Sequence, residues 1–261
     1  MATAYWHEVT IPHGRGGRFR IGPLTLDVER ARHEWRISSS TTGDDADETV
    51  SFELGDARAD SLAGGIHRRI ATSSDTERFR VLPVVPDRSV VTRLERPVTI
   101  LPRMEMRLYV GSPVWVRLLE GPGDELLELP VSSPREAWFG PNTREGDVCY
   151  ATRTPGRLEL GDAPVLPHRM TTAVSIHNDR DQPFALERVQ LPVRRLSIYA
   201  SDTGRLWTEA VRLDRTESAD LARLTVEKEP PAEADGATRL SPPRDPSGGG
   251  GLFRAFGLMF W

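Results

Sequence analysis

Met104-Glu105-Met106-Arg107-Leu108-Tyr109-Val110 alternates from residue to residue, and Val114-Trp115-Val116-Arg117-Leu118 soon repeats the pattern. A period of two puts alternate side chains on one face, as in a half-buried strand; an amphipathic helix would repeat every 3.6 residues. The pattern extends in both directions from this stretch. Upstream it recurs in Arg18-Phe19-Arg20-Ile21, Leu24 to Glu29, Trp35-Arg36-Ile37 and Val50-Ser51-Phe52-Glu53-Leu54. Downstream it recurs in Ala173 to His177, Leu196 to Tyr199 and Leu224 to Glu227. Turn signals separate the runs: Gly22-Pro23, Gly64-Gly65, Gly121-Pro122-Gly123-Asp124, Gly140-Pro141-Asn142 and Asp202-Thr203-Gly204. Short strands punctuated in this way predict an all-β protein, an antiparallel β-sandwich. Phe19, Trp35, Phe52, Trp115 and Val174 are the expected core. The one helix candidate is Thr216 to Leu224.

Four regions are expected. Residues 1–80 form an N-terminal β region and 81–228 the sandwich core. Residues 229–251, with five prolines and four consecutive glycines, read as a disordered linker. Residues 252–261 read as a hydrophobic docking tail.

With 34 basic against 38 acidic residues, the formal charge of −4 gives no global pull toward nucleic acid, so none is expected as a partner. No apolar run reaches membrane-spanning length. The first residues carry neither a charged leader nor a signal-type apolar core, so a cytoplasmic location is expected, peripheral to the inner membrane if the tail meets lipid. Cys149 is the only cysteine, which excludes an internal disulfide and a cysteine-based zinc site within one chain. All basic residues but Lys228 are arginine.

The tail, Leu252-Phe253-Arg254-Ala255-Phe256-Gly257-Leu258-Met259-Phe260-Trp261, is the most hydrophobic decapeptide of the sequence. Leu252, Phe256 and Phe260 share a face if it is helical. Burying each large apolar side chain is worth about 1.5–3 kcal/mol, so something should cover Leu252, Phe253, Phe256, Leu258, Met259, Phe260 and Trp261. The occupants open to it are the protein's own sandwich, a protein partner or second copy of the chain, and a bilayer surface. As a helix the tail would span only about 15 Å, too short to cross a membrane.

Other features favour structural readings. Asp44-Asp45-Ala46-Asp47-Glu48 lacks the spacing of a calcium loop and reads as a solvated hairpin loop. His13-Gly14-Arg15-Gly16-Gly17-Arg18 lacks the Lys-Ser/Thr pair and helix of a phosphate loop. The histidines show no metal-ligand spacing, and no catalytic carboxylate pair or nucleophile elbow is present. No cofactor and no catalytic residue is therefore expected. Trp138, Asn142, Asp147 and His168 remain as a loop-end ligand site.

From Leu82 to about Arg212 the order of motifs resembles the family catalogued as domain of unknown function 432. These motifs are Leu82-Pro83-Val84-Val85-Pro86-Asp87, Arg96 to Pro102, Leu108 to Val116, Trp138-Phe139-Gly140-Pro141, Gly146 to Tyr150, Val174 to Asn178 and Leu196 to Tyr199. The resemblance implies an all-β fold without assigned catalytic residues, and a channel-associated or regulatory role, because some members are encoded beside small mechanosensitive channels. The tail lies outside the shared motifs. The expected function is thus a non-catalytic binding or regulatory protein whose tail docks on a partner, with a membrane channel subunit as one such partner. The alternative is a small-ligand-binding protein or enzyme with a loop-end site.

Overall fold

In the computed structural model, residues 6–42, 45–56, 59, 62, 64–218, 220–246 and 250–260 are described. The alternating runs become strands. The N-terminal part holds β1 (Glu8–Thr10), β2 (Gly16–Ile21), β3 (Leu24–Ala31), β4 (Glu34–Thr41), β5 (Val50–Gly55) and β6 (Ile66–Ala71). Next come β7 (Arg78–Val84), β8 (Val90–Ile100), β9 (Glu105–Pro113), β10 (Trp115–Glu120), β11 (Asp124–Pro130), β12 (Glu136–Gly140) and β13 (Asp147–Ala151). They are followed by β14 (Arg169–His177), β15 (Phe184–Leu191), β16 (Ile198–Ala200), β17 (Leu206–Trp207), β18 (Val211–Arg215) and β19 (Leu221–Val226). The last are β20 (Thr238–Ser241), β21 (Gly251–Arg254) and β22 (Leu258–Phe260). Among the described residues, the helical elements are 3-10 turns of three residues.

Among the described residues four sheets result, with strand orders β5-β2-β3-β4-β6, β1-β7-β10-β11, β15-β8-β13-β12-β22 and β20-β16-β17-β14-β18-β19-β21. In the last, β9 lies antiparallel along β14 over the whole length of both. Pairing is mostly antiparallel, but β13 runs parallel to β8, and β14 runs parallel to β17 and β18. Met170 to Val174 are all buried, so β14 is a central strand covered on both faces, as strands in parallel pairings commonly are.

One apolar cluster extends from Phe19 and Trp35 to Phe256. Phe79 of β7 meets the rings of Phe19 and Trp35 at 5.7 and 5.1 Å, joining the N-terminal sheet to the next one. The division at residue 80 therefore runs through β7 and through a shared core. Phe19, Trp35 and Val174 are buried, while Phe52 and Trp115 pack half-buried against the cluster.

Three local readings are corrected. The helix proposed for Thr216 to Leu224 is a hairpin turn and the start of β19, because Ala222 and Leu224 alternate inward opposite β18. The described residues 229–246 of the stretch read as a linker are not free. Within it a 3-10 turn spans Ala232–Ala234, β20 pairs with β16, and the Arg244 Nε donates to Val85 O at 2.6 Å. Arg244 also pairs with Glu128. Composition missed this because an edge strand needs few apolar side chains when the backbone ladder and an ion pair hold it. Lastly, the helical face drawn through Leu252, Phe256 and Phe260 is replaced by strands β21 and β22, for which two sheet edges supply backbone partners. No helix is long and apolar enough to cross a membrane among the described residues.

Candidate functional site

The tail bridges two sheets. β21 adds to the edge of β19, with Leu221 opposite Arg254 and Leu224 opposite Gly251. The chain then turns inward: the amides of Ala255 and Phe256 both donate to Asp220 O, at 3.0 and 3.1 Å, and Ala255 O accepts from Gln190 N at 2.8 Å. Phe256 bridges to Val189 and is buried, its ring 4.8 Å from Phe184 in an edge-on contact. β22 then pairs with β12, setting Leu258 opposite Gly140 and Phe260 opposite Trp138. Trp261 lies outside the described residues.

Charge reinforces the seat. Arg254 Nε lies 3.1 Å from Asp220 Oδ2, and its Nη1 lies 3.6 Å from Asp147 Oδ2. Asp147, expected in a ligand loop, thus faces the tail. Trp138 and Asn142 stay with it in the β12–β13 hairpin, where they stabilise the turn. Trp138 Nε1 donates to Asn142 O at 2.8 Å, and Asn142 Oδ1 accepts from the amides of Arg144 and Glu145.

His168 is not part of this group. It is fully buried against Gly22, at the Gly22-Pro23 turn between β2 and β3, and its Nε2 lies 3.1 Å from Asp45 O. Gly22 has φ +52, and a Cβ there would fall 2.3 Å from His168 Nδ1, so both backbone and space require glycine. Burial, helped by neighbouring Arg169, pushes the imidazole down to about 4, against the opposing pull of Asp45. Asp45 itself is not solvated as expected for the acidic loop: its Oδ2 lies 2.7 Å from Arg153 Nε and 3.4 Å from Arg169 Nη2. Asp44 lies outside the described residues.

Other reactive types also serve the fold. The Cys149 thiol is buried, donates to Ala137 O at 3.2 Å, and is pushed up to about 12 by burial and by Asp147. A thiol so far from ionisation is a poor nucleophile. Among the described residues no three His, Cys, Asp or Glu side chains group as a metal site.

What remains open beside the tail is a cleft of about 450 Å³, whose walls include Asp147, Val148, Gln190, Leu252, Phe253 and Arg254. Val148 is 47% exposed and Leu252 is 70% exposed, while Phe253 is half-buried. Arg88 and Arg194 stand on its rim. The sequence flagged the tail and Asp147 but missed Val148 and Gln190, whose roles depend on which strand edge the tail joins.

A family model described as a protein of unknown function (DUF432) matches residues 5–260. The match runs through the tail, which the short motifs from Leu82 to Arg212 did not include. No curated protein and no solved structure matches the chain.

Proposed function

The chain belongs to the DUF432 family of proteins of unknown function, and on that premise we propose that it is a non-catalytic binding or regulatory protein whose C-terminal segment forms its docking surface. The inner half of the segment, Ala255 and Phe256, anchors it to the body. The outer half, Leu252 and Phe253, receives a protein partner together with Val148. The supporting observation is that these three apolar side chains line one cleft while the arginines around it are engaged: Arg254 with Asp147 and Asp220, Arg88 with Glu136, and Arg194 with Asp87 O. An apolar floor with a polar rim is the usual composition of a protein-docking patch. A membrane channel subunit is one partner of this kind, and the peripheral membrane location follows from it.

The test is co-purification from the native host with a tagged full-length protein and the double variant Val148→Glu/Leu252→Glu. Both positions are exposed, so the variant should melt as the wild type does. Loss of a specific partner from the variant is expected, together with loss from the membrane pellet if that partner is a membrane protein. Identical partners from both proteins would overturn the reading. Truncation before residue 252 is a poorer test, because it also removes Phe256 from the core.

A further inference from the structure

A second cleft, of about 520 Å³, opens where the ladder around β8 is broken on both sides. Toward β15, Leu186 pairs with Val98 and Arg188 with Arg93, so Glu187 alone faces the four residues Leu94 to Pro97. Pro97, lacking an amide hydrogen, cannot serve a regular ladder there. Toward β13, Thr152 N bonds Val91 O and Gly156 N bonds Arg93 O. Three residues, Arg153 to Pro155, therefore arch out where β8 advances by two.

Arg93 and Arg188 are direct cross-strand partners, and Arg135 lines the same cleft. Side chains so placed sit about 4.5–5.5 Å apart at Cβ, and like charges there repel. None of the three guanidinium groups has an ion pair or hydrogen bond among the described residues. The neighbouring charges are already matched: Arg153 pairs with Asp45, and Glu95 pairs with Arg157. Among the described residues lining the cleft, Glu187 is the carboxylate left over, and it forms no ion pair with them.

The same chain contains a facing arginine pair that is neutralised. Arg36 and Arg69 are cross-strand partners on β4 and β6. Glu34 sits between them, at 2.7 Å from Arg36 and 2.8 Å from Arg69, and Glu29 adds a second contact to Arg36 at 3.2 Å. In that pair an internal carboxylate relieves the repulsion. Around Arg93 and Arg188 no carboxylate among the described residues lies within ion-pair distance, Glu95 of the same cleft being paired with Arg157.

We propose that the cleft between β8, β15 and the 152–156 arch binds a small phosphorylated molecule, its phosphate held by Arg93, Arg135 and Arg188. Guanidinium groups bind phosphate oxygens through paired, charge-assisted hydrogen bonds, and three of them from separate segments suit a tetrahedral dianion. Leu94, Pro97 and Pro155 give the cleft an apolar side for the organic part. The volume is in the usual range for small-molecule sites. This site is independent of the tail and of the partner proposed for it.

The test uses the full chain with inorganic phosphate and AMP as probes, read by thermal melting and titration calorimetry against sodium chloride of equal ionic strength. Arg93→Gln/Arg188→Gln is compared with wild type and with Arg32→Gln, an exposed arginine outside the cleft. Both probes should raise the melting temperature of wild type and R32Q, AMP more than phosphate. The double variant should lose about tenfold or more in affinity. Without ligand it should melt no lower than wild type, because a repulsion has been removed; a merely structural arginine pair would give a lower melting point. No shift in wild type beyond the chloride control, or an undiminished shift in the double variant, would overturn the site. Binding to vesicles containing phosphatidic acid without any response to AMP would overturn the small-molecule assignment in favour of a lipid headgroup.

Discussion

The N-terminal sheet and the C-terminal segment are fastened to the body by different means. The N-terminal sheet is held by a large apolar contact, Phe19 and Trp35 on Phe79, and by buried polar groups. Arg30, fully buried, donates to the carbonyl oxygens of Ala31, Glu34, Ser74 and Thr76 and lies 4.9 Å from the Trp35 ring. His168 and Asp45 add a second polar contact beside Gly22. The C-terminal segment relies on one aromatic plug, two short edge pairings and one arginine between two aspartates. The first attachment is distributed and sensitive to protonation; the second is concentrated in a single side chain. A fastening of the second kind can keep its outer residues open to solvent, as Leu252 is.

The most severe break should come from Phe256→Ala. Truncating a buried phenylalanine costs about 3–5 kcal/mol, and denaturant unfolding should show a loss of that size. A loss below about 1 kcal/mol would mean that the plug is not what holds the segment.

Acid should instead act on the N-terminal attachment. The His168 imidazole titrates near 6.5 when unfolded and near 4 when folded, so the folded state disfavours its protonation. The stability due to this group is present above pH 6.5 and is lost as pH falls toward 4, amounting to about 3 kcal/mol. Denaturation midpoints of wild type and His168→Gln across pH 7 to 4 measure it, and the variant should show a shallower decline over this window. Equal slopes would remove His168 from the comparison.

Arg254→Ala should have a smaller effect, about 1 kcal/mol, because both of its ion pairs are partly solvated. Amide exchange should quicken in β21 while β2 to β6 stay protected. The least effect should come from Leu252→Ser, within about 0.5 kcal/mol in denaturant unfolding, since the side chain is mostly in water. A larger loss would show that the outer half of the segment is also a fastening.

Strands were legible where burial alternates from residue to residue, as in Val114 to Leu118. Legibility failed where a strand is covered on both faces or is held mainly by its backbone. In β14 the alternating run covered Ala173 to His177 but not the fully buried Met170 to Thr172, and Thr238 to Ser241 lie in a proline-rich stretch that composition assigns to a linker. The candidate site was half legible. Hydrophobicity singled out Leu252, Phe253 and Phe256, but nothing local to Val148 or Gln190 ties them to a segment so distant in sequence. Likewise Arg93 and Arg188 are unremarkable in an arginine-rich chain until strand register sets them face to face.

The sequence by itself determined that the protein is all-β, that it has an apolar core, and that its last residues need a cover, because side-chain period and hydrophobicity are local properties. Only the tertiary structure decided that Phe256 is covered by the protein's own core, that Asp147 answers Arg254, and that two arginines meet without a carboxylate between them. Those outcomes depend on register and on which sheet edge is free, and a pairing between distant strands is set by the packing of the whole rather than by any stretch of it.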